Sequence, residues 1–109
     1  MKRYGAIIGL RQDQIEQYKR LHANVWPAVL ARIMACNISN YSIFLREPEN
    51  LLISCYEYTG SDHDADMAAM AEDPETQRWW AICGPMQLPL ETRAPGQWWA
   101  SAEEVFHAD

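Results

Sequence analysis

The chain has no apolar run long enough to cross a membrane and none of the short motifs that identify common enzyme classes. No segment approaches the roughly 18 to 20 consecutive apolar residues that a membrane-spanning helix needs. Glycine-rich nucleotide-binding patterns, the serine elbow of hydrolases and the HExxH zinc signature are absent. The start "MKRYGAIIGL" has too few apolar residues for a secretion signal and no small-residue cleavage site. We therefore expect a soluble cytoplasmic protein with no membrane partner.

Basic residues and cysteines are also scarce. Nine basic residues stand against 15 acidic ones and give a net charge of -6, which argues against nucleic acid and against strongly anionic substrates. Cys36, Cys55 and Cys83 are far apart and show no CxxC spacing, so neither a disulfide framework nor a zinc site is predicted. The acidic run 62–66 is typical of the capped start of a helix, and we expect no metal.

The hydrophobic periodicity predicts a strand followed by two helices in the first third of the chain. Residues 3–10 alternate between two faces, as in a strand. Asp13 and Glu16 have the spacing of a capping box at the start of a helix. Pro27 suits the first turn of a helix and predicts a break before a second helix, from Ala28 to Cys36.

The clearest local pattern is a β-hairpin. Two strand-like runs, Tyr41 to Leu45 and Leu51 to Thr59, flank the turn-forming stretch "REPEN". The remaining signals are a helix cap at Ser61 or Asp62, a second helix start at Asp73 and Pro74, and a last strand between Gln97 and His107.

This order of elements predicts a single α+β domain over residues 1–109. Right-handed crossovers bring the outer strands together into a ferredoxin-like, four-stranded antiparallel sheet with helices on one face. We expect Tyr56 and Tyr58 on the other face, which would then be more apolar than water favours. Packing two such sheets face to face would bury that surface, so a homodimeric α+β barrel is predicted.

The stretch "EQYKRLHANVWPAVL" contains the first candidate residues. Tyr18, His22 and Trp26 recur every four residues on the apolar stripe of the predicted helix. Periodicity alone is compatible with a hydrogen-bonded core histidine at position 22. The alternative is a general acid/base, because imidazole titrates near neutral pH. By the same criterion Tyr18 and Trp26 are core residues.

The hairpin adds a carboxylate at an unusual place. Glu57 ends a row of alternate, mostly apolar residues, and folding the hairpin places Tyr41 near Cys55 and close to Glu57. Glu57 lies either in water at the sheet margin or in a cleft, where desolvation favours its neutral form. In a cleft it would be a second proton-transfer group beside His22.

Four of the five tryptophans occur as two doublets, "RWW" and "QWW". Adjacent helical residues point about 100° apart, so Trp79 and Trp80 cannot bury against the same neighbour. Tryptophan faces suit sugars, whose C–H patches stack on the ring. Packing at an interface is the alternative for either doublet, including Trp98 and Trp99.

Together, "YKRLHANVWPAVL", "NYSIFL" followed by "ENLL", "QRWW" and the terminal "EVF" resemble the L-rhamnose mutarotase family almost end to end. The resemblance implies a dimeric α+β barrel and a cofactor-free enzyme that interconverts the α and β anomers of a 6-deoxyhexose, a small monosaccharide. It makes His22 the proton donor. It also places four aromatic side chains against the sugar: Tyr18, Tyr41, Trp79 and Trp80.

Ring opening needs a proton on the ring oxygen and loss of one from the anomeric hydroxyl. We expect His22 to supply the first, and Glu57 or a bound water to take the second. Some segments depart from the family pattern: "DHDADMAAM" has no aromatic residue, the "LPLETRAPGQWWA" loop is elaborate, and His107 stands where an aromatic is expected. These departures leave L-rhamnose and L-fucose as alternative substrates.

Two other functions are compatible with the predicted fold. Many dimeric α+β barrels are cofactor-free monooxygenases that act on flat aromatic substrates, and this interior is aromatic. A non-catalytic sugar-binding or stress-response barrel is the other alternative. The polar set Tyr18, His22, Tyr41 and Glu57 favours a sugar substrate over a flat aromatic one.

Overall fold

The computed structural model describes all residues from Met1 to Asp109. Its elements in chain order are β1 (Lys2–Leu10), α1 (Ile15–Ala23), α2 (Pro27–Ala35), β2 (Ile38–Arg46), β3 (Leu51–Tyr58), α3 (His63–Glu72), α4 (Pro74–Cys83), β4 (Gln87–Leu88) and β5 (Ala100–Ala102). Short 3-10 turns precede α1 and follow α4. None of the helices has the length and apolar character that crossing a bilayer requires.

The strands form one antiparallel sheet in the order β2-β3-β1, and both β4 and β5 pair with the free edge of β1. Gly9 pairs with Leu88 of β4, and Ile7 pairs with Ala100 of β5. This arrangement confirms the ferredoxin-like α+β fold. β5 lies within the stretch predicted as the last strand, whereas β4 lies before it, where no strand was predicted. The segment after Ala102 is not a strand, although an Arg3–Glu104 ion pair of 2.6 Å ties it to β1.

Capping signals located most of the helix starts. Pro27 opens α2, and Asp62 caps α3 by accepting a hydrogen bond from the Ala65 N–H. Asp73 caps α4 through the Thr76 N–H, directly before Pro74. The capping box predicted at Asp13 was wrong, because a 3-10 turn precedes α1 and no side chain caps that helix. There the chain uses the turn instead of a side chain to enter the helix.

The main core lies between the sheet and the helices. β1 and β3 contribute Ile8, Leu10 and Leu52, which pack with Tyr18 of α1 and Trp79 of α4. A smaller core next to it joins the other end of the sheet to α3, with these members: Cys36, Ile38, Tyr58 and Met70. The two clusters place α1 and α4 over one half of the sheet and α3 over the other.

The two faces of β3 are the reverse of what we expected. The predicted alternation is correct, but Tyr56 and Tyr58 lie on the face that the helices cover: Tyr58 packs against α3, and Tyr56 bonds to His63 of α3. Ile53 and Cys55 lie on the open face and are exposed. Alternation fixes which residues share a face, whereas the choice of covered face depends on the helices. Because both faces carry apolar residues, the pattern alone did not decide.

Candidate active site

His22 occupies the last turn of α1, with its ring between two aromatic neighbours. It stacks on Tyr18 with ring centroids 4.1 Å apart, and it meets Trp79 edge to face at 5.3 Å. Its Nδ1 lies 2.8 Å from the carbonyl oxygen of Tyr18. A carbonyl only accepts hydrogen bonds, so Nδ1 carries the hydrogen. The other nitrogen, Nε2, has no protein partner and is free to exchange a proton with a ligand.

Burial sets the charge of this imidazole. The half-buried position lowers the pKa of His22 below its usual 6.5, because the charged form loses solvation, while the bond to the Tyr18 carbonyl acts weakly in the opposite direction. The ring is therefore neutral at pH 7. In that state Nε2 presents a lone pair and can accept a proton, as a general base does.

Tyr18 is only 4% exposed, and its hydroxyl accepts a hydrogen bond of 3.1 Å from the side-chain amide of Gln87. Burial is the main cause of a strongly raised pKa for Tyr18, and the nearby Cys83 and Tyr41 add to it. The hydroxyl therefore stays protonated and acts as a hydrogen-bond donor. Sequence reasoning missed Gln87, since no local pattern places an isolated glutamine beside a tyrosine 69 residues away.

A cavity of about 120 Å³ opens between α1 and the sheet. Its polar lining comes from Tyr18, Lys19 and His22 on α1, and its apolar lining from four sheet residues: Leu10, Ile43, Leu45 and Leu52. This volume is smaller than the several hundred Å³ typical of pockets for drug-sized molecules. The cavity therefore suits a small ligand with a polar edge and an apolar face.

Tyr41 lies at the far side of this region, on the helix-covered face of β2. Its ring is 5.4 Å from that of Tyr56. The residue is 41% exposed, and partial desolvation raises the pKa of its hydroxyl. Tyr56 is hydrogen-bonded at 2.6 Å to Nε2 of His63, whose ring stacks on Tyr4 at 3.9 Å. This second cluster was missed because we assigned Tyr56 to the opposite face. This cluster continues the row of aromatic side chains on the helix-covered face beyond Tyr41.

The "RWW" doublet divides as the helical geometry predicts. Trp79 is 6% exposed and packs on Trp26 with ring centroids 5.1 Å apart, beside His22. Trp26 is a core-packing residue, as predicted. Trp80 projects from the next position of α4 and is 45% exposed. Trp79 is therefore part of the His22 environment, whereas sugar contact by Trp80 stays a prediction.

Glu57 does not join this group. Its register partner is Arg3 on β1, and its carboxylate bonds to Asn40 and lies 3.7 Å from the Arg3 guanidinium. These residues occupy the open face of the sheet, whereas His22 and Tyr18 lie on the helix-covered face. The expected convergence of Glu57 with His22 is thus not found within one chain. The reversed face assignment of β3 is the physical reason.

A family model described as L-rhamnose mutarotase matches residues 3–108 of the chain. An L-rhamnose mutarotase from Oceanobacillus iheyensis is 30% identical over the full length of both chains. An L-fucose mutarotase from Xanthomonas campestris pv. campestris is 34% identical, covering 97% of this chain and 87% of that one. The crystal structure of an L-rhamnose mutarotase from Formosa agariphila covers all of both chains with a TM-score of 0.79, at 23% identity.

Proposed function

The chain belongs to the L-rhamnose mutarotase family, and on that premise we propose that it is an isomerase that interconverts the α and β anomers of a 6-deoxy-L-hexose, L-rhamnose or L-fucose. The observation that carries the proposal is the fixed tautomer and orientation of the His22 imidazole. Its Nδ1 hydrogen is held by the Tyr18 carbonyl, and its free Nε2 belongs to a side chain that lines a small cavity.

Anomer exchange requires only that one proton moves. The anomeric hydroxyl O1–H loses a proton, the bond between C1 and the ring oxygen O5 breaks, and O5 gains a proton. The open-chain aldehyde then closes on its other face with the reverse proton movements. No electrons leave the sugar, so acid/base groups are sufficient for the reaction, and we propose that no cofactor is needed.

His22 is the proton-transfer group in this proposal. At neutral pH its unprotonated Nε2 accepts the O1 proton as the C1–O5 bond breaks, and the resulting imidazolium delivers that proton to O5. O1 and O5 are both bonded to C1, so a single nitrogen can reach both. The family resemblance implied that His22 is a proton donor; in this cycle it first accepts and then donates. Such acid/base assistance contributes on the order of 10²- to 10⁴-fold.

Tyr18 stabilises the charge that develops on O5. Its raised pKa keeps the phenol protonated, so it donates a hydrogen bond to O5 until the imidazolium proton arrives. A preorganised donor in a partly desolvated site acts mainly on the transition state. We further propose that Tyr41, Trp79 and Trp80 form the wall against which the sugar ring stacks. Trp79 already contacts His22.

We also propose that the protein is a cytoplasmic homodimer. Phe44 and its register partner Ile53 expose apolar side chains on the open sheet face, and a second copy of the same face would bury both. The three cysteines are unpaired, which is typical of a reducing compartment.

Exchange between the α and β anomers tests the enzyme function directly. That experiment is saturation-transfer or exchange NMR on the purified protein with L-rhamnose, L-fucose and D-glucose. We expect exchange of one or both 6-deoxy sugars well above the spontaneous rate. His22→Ala should reduce it to near the spontaneous rate. Gln17→Ala, at an exposed position of the same helix, is the control and should leave exchange unchanged. An unchanged exchange rate in His22→Ala would reject the assignment.

A further inference from the structure

Gln87 and Trp98 form a hydrogen-bonded chain that ends on the proposed sugar-binding hydroxyl. The Trp98 indole Nε1–H donates to Oε1 of Gln87 over 2.8 Å, and Nε2 of Gln87 donates to the Tyr18 hydroxyl over 3.1 Å. Neither residue lies in the cavity lining around His22. From this chain we propose that Gln87 and Trp98 are positioning residues, which act through Tyr18 to make its hydroxyl a dedicated hydrogen-bond donor to the sugar.

The donors and acceptors in these two hydrogen bonds follow from the chemistry of the indole and the amide. An indole N–H can only donate, so the group of Gln87 that faces Trp98 must be the carbonyl oxygen. The amide NH2 of Gln87 then necessarily faces Tyr18. The flipped amide is excluded, because it would place the NH2 of Gln87 against the Trp98 N–H, and two donors cannot bond to each other.

The fixed amide determines what Tyr18 can do. Its hydroxyl oxygen already accepts a hydrogen from Gln87, so its own hydrogen must point elsewhere. The ring of Tyr18 stacks on His22, and both residues line the same cavity. The hydroxyl hydrogen is therefore available to a ligand in that cavity. The Gln87 bond also opposes the effect of burial on the pKa of Tyr18, which strengthens the donor.

The surroundings hold this chain in place. Gln87 is 8% exposed and lies on β4, where it pairs with Leu10 of the core strand. A buried amide without partners is costly, and here both its polar atoms are bonded. Trp98 lies near the end of the long connection from β4 to β5. The hydrogen bonds from Trp98 through Gln87 to Tyr18 thus couple the conformation of that connection to the site, although no residue of the connection lines the cavity.

Gln87→Glu is the sharpest test, because it keeps the size of the side chain and replaces the NH2 with a second acceptor. The carboxylate would still accept from Trp98, but it would now accept the hydrogen of Tyr18 and withdraw it from the sugar. This inference rests on the proposed mutarotase function. We expect kcat for anomer exchange at pH 8 to fall about 10-fold or more, with little change in KM. Gln17→Glu, an exposed change on α1 with the same charge, should leave exchange unchanged.

Burial raises the pKa of an introduced carboxyl, and its protonated form can again donate to Tyr18. The activity of Gln87→Glu relative to wild type should therefore rise as the pH falls, which a merely structural defect would not produce. Should that variant fail to fold, Trp98→Phe replaces the indole with a smaller ring that has no N–H, and it should lower kcat several-fold.

A double-mutant cycle identifies the route of the effect. In the Tyr18→Phe background, Gln87→Glu and Trp98→Phe should have no further effect on kcat, since the hydroxyl on which they act is gone. A folded Gln87→Glu or Trp98→Phe variant with wild-type kcat, or fully additive losses in the cycle, would overturn the inference. A wild-type protein that does not accelerate exchange would instead refute the proposed function.

Discussion

Nδ1 of His22 lies 2.8 Å from the backbone carbonyl oxygen of Tyr18, one helical turn earlier in α1. A carbonyl oxygen has two lone pairs, so the carbonyl four residues earlier in a helix can accept from a side-chain donor as well as from the backbone N–H. This one bond fixes the tautomer and the orientation of the ring. It leaves Nε2 as the nitrogen that meets the ligand, so a feature of the backbone determines the chemistry of the side chain.

The pH dependence of exchange distinguishes a neutral His22 from a charged one. Burial lowers the pKa of His22 below 6.5, so the ring is neutral at pH 7 and becomes charged only on acidification. We expect kcat/KM to be level from about pH 7 to 8.5 and to fall only as the pH drops below 6.5. Exchange NMR at a series of pH values measures the profile. A rate that increases on acidification would mean that the imidazolium is the required form.

Removal of the Tyr18 hydroxyl tests the stabilisation of O5. Tyr18→Phe keeps the ring that stacks on His22 but removes the donor, and we expect kcat to fall on the order of 10²-fold. The buried Gln87 amide would lose its partner, at a cost of about 1–3 kcal/mol in the free energy of unfolding. Exchange kinetics and thermal unfolding measure the two effects. Wild-type kcat in a folded variant would remove Tyr18 from the mechanism.

We expect Glu57 to make no contribution to anomer exchange at the His22 cavity. Its carboxylate lies on the open face of the sheet with Asn40 and Arg3, away from the His22 cavity. Glutamine keeps an oxygen that can accept from Asn40 and loses only the charge that faces Arg3 at 3.7 Å. Glu57→Gln should therefore fold normally and keep kcat within roughly twofold of wild type. Exchange kinetics at saturating sugar decide the matter. A loss comparable to that of His22→Ala would mean that Glu57 reaches a site by another route, such as a neighbouring subunit.

The open sheet face provides the test of the homodimer. Phe44 is 61% exposed in the isolated chain and lies beside Ile53. Phe44→Glu places a charge where a second sheet would pack, so we expect the dimer to dissociate. Sedimentation velocity or size exclusion with light scattering measures the mass. Leu30→Glu, on an exposed position of α2, is the matched control and should stay dimeric. A monomeric wild-type protein would contradict the proposal.

The elements of the fold followed from local rules. Pro27 and the caps Asp62 and Asp73 located helix starts, and period-two alternation located β1 and the hairpin. The 3-10 turn before α1 escaped prediction, because Asp13 and Glu16 match a capping pattern that the backbone does not use. The two-piece fourth strand escaped it as well, since pairing with β1 decides where β4 and β5 form.

The sequence by itself determined the Tyr18–His22 spacing on α1, the divided burial of Trp79 and Trp80, and the family. All three depend on residues that are close along the chain or on ordered motifs. Only the tertiary structure decided that Tyr56 faces the helices and Glu57 does not. It alone placed Gln87 against Tyr18. Alternation gives two faces without saying which is covered, and a contact across 69 residues depends on how the whole sheet packs.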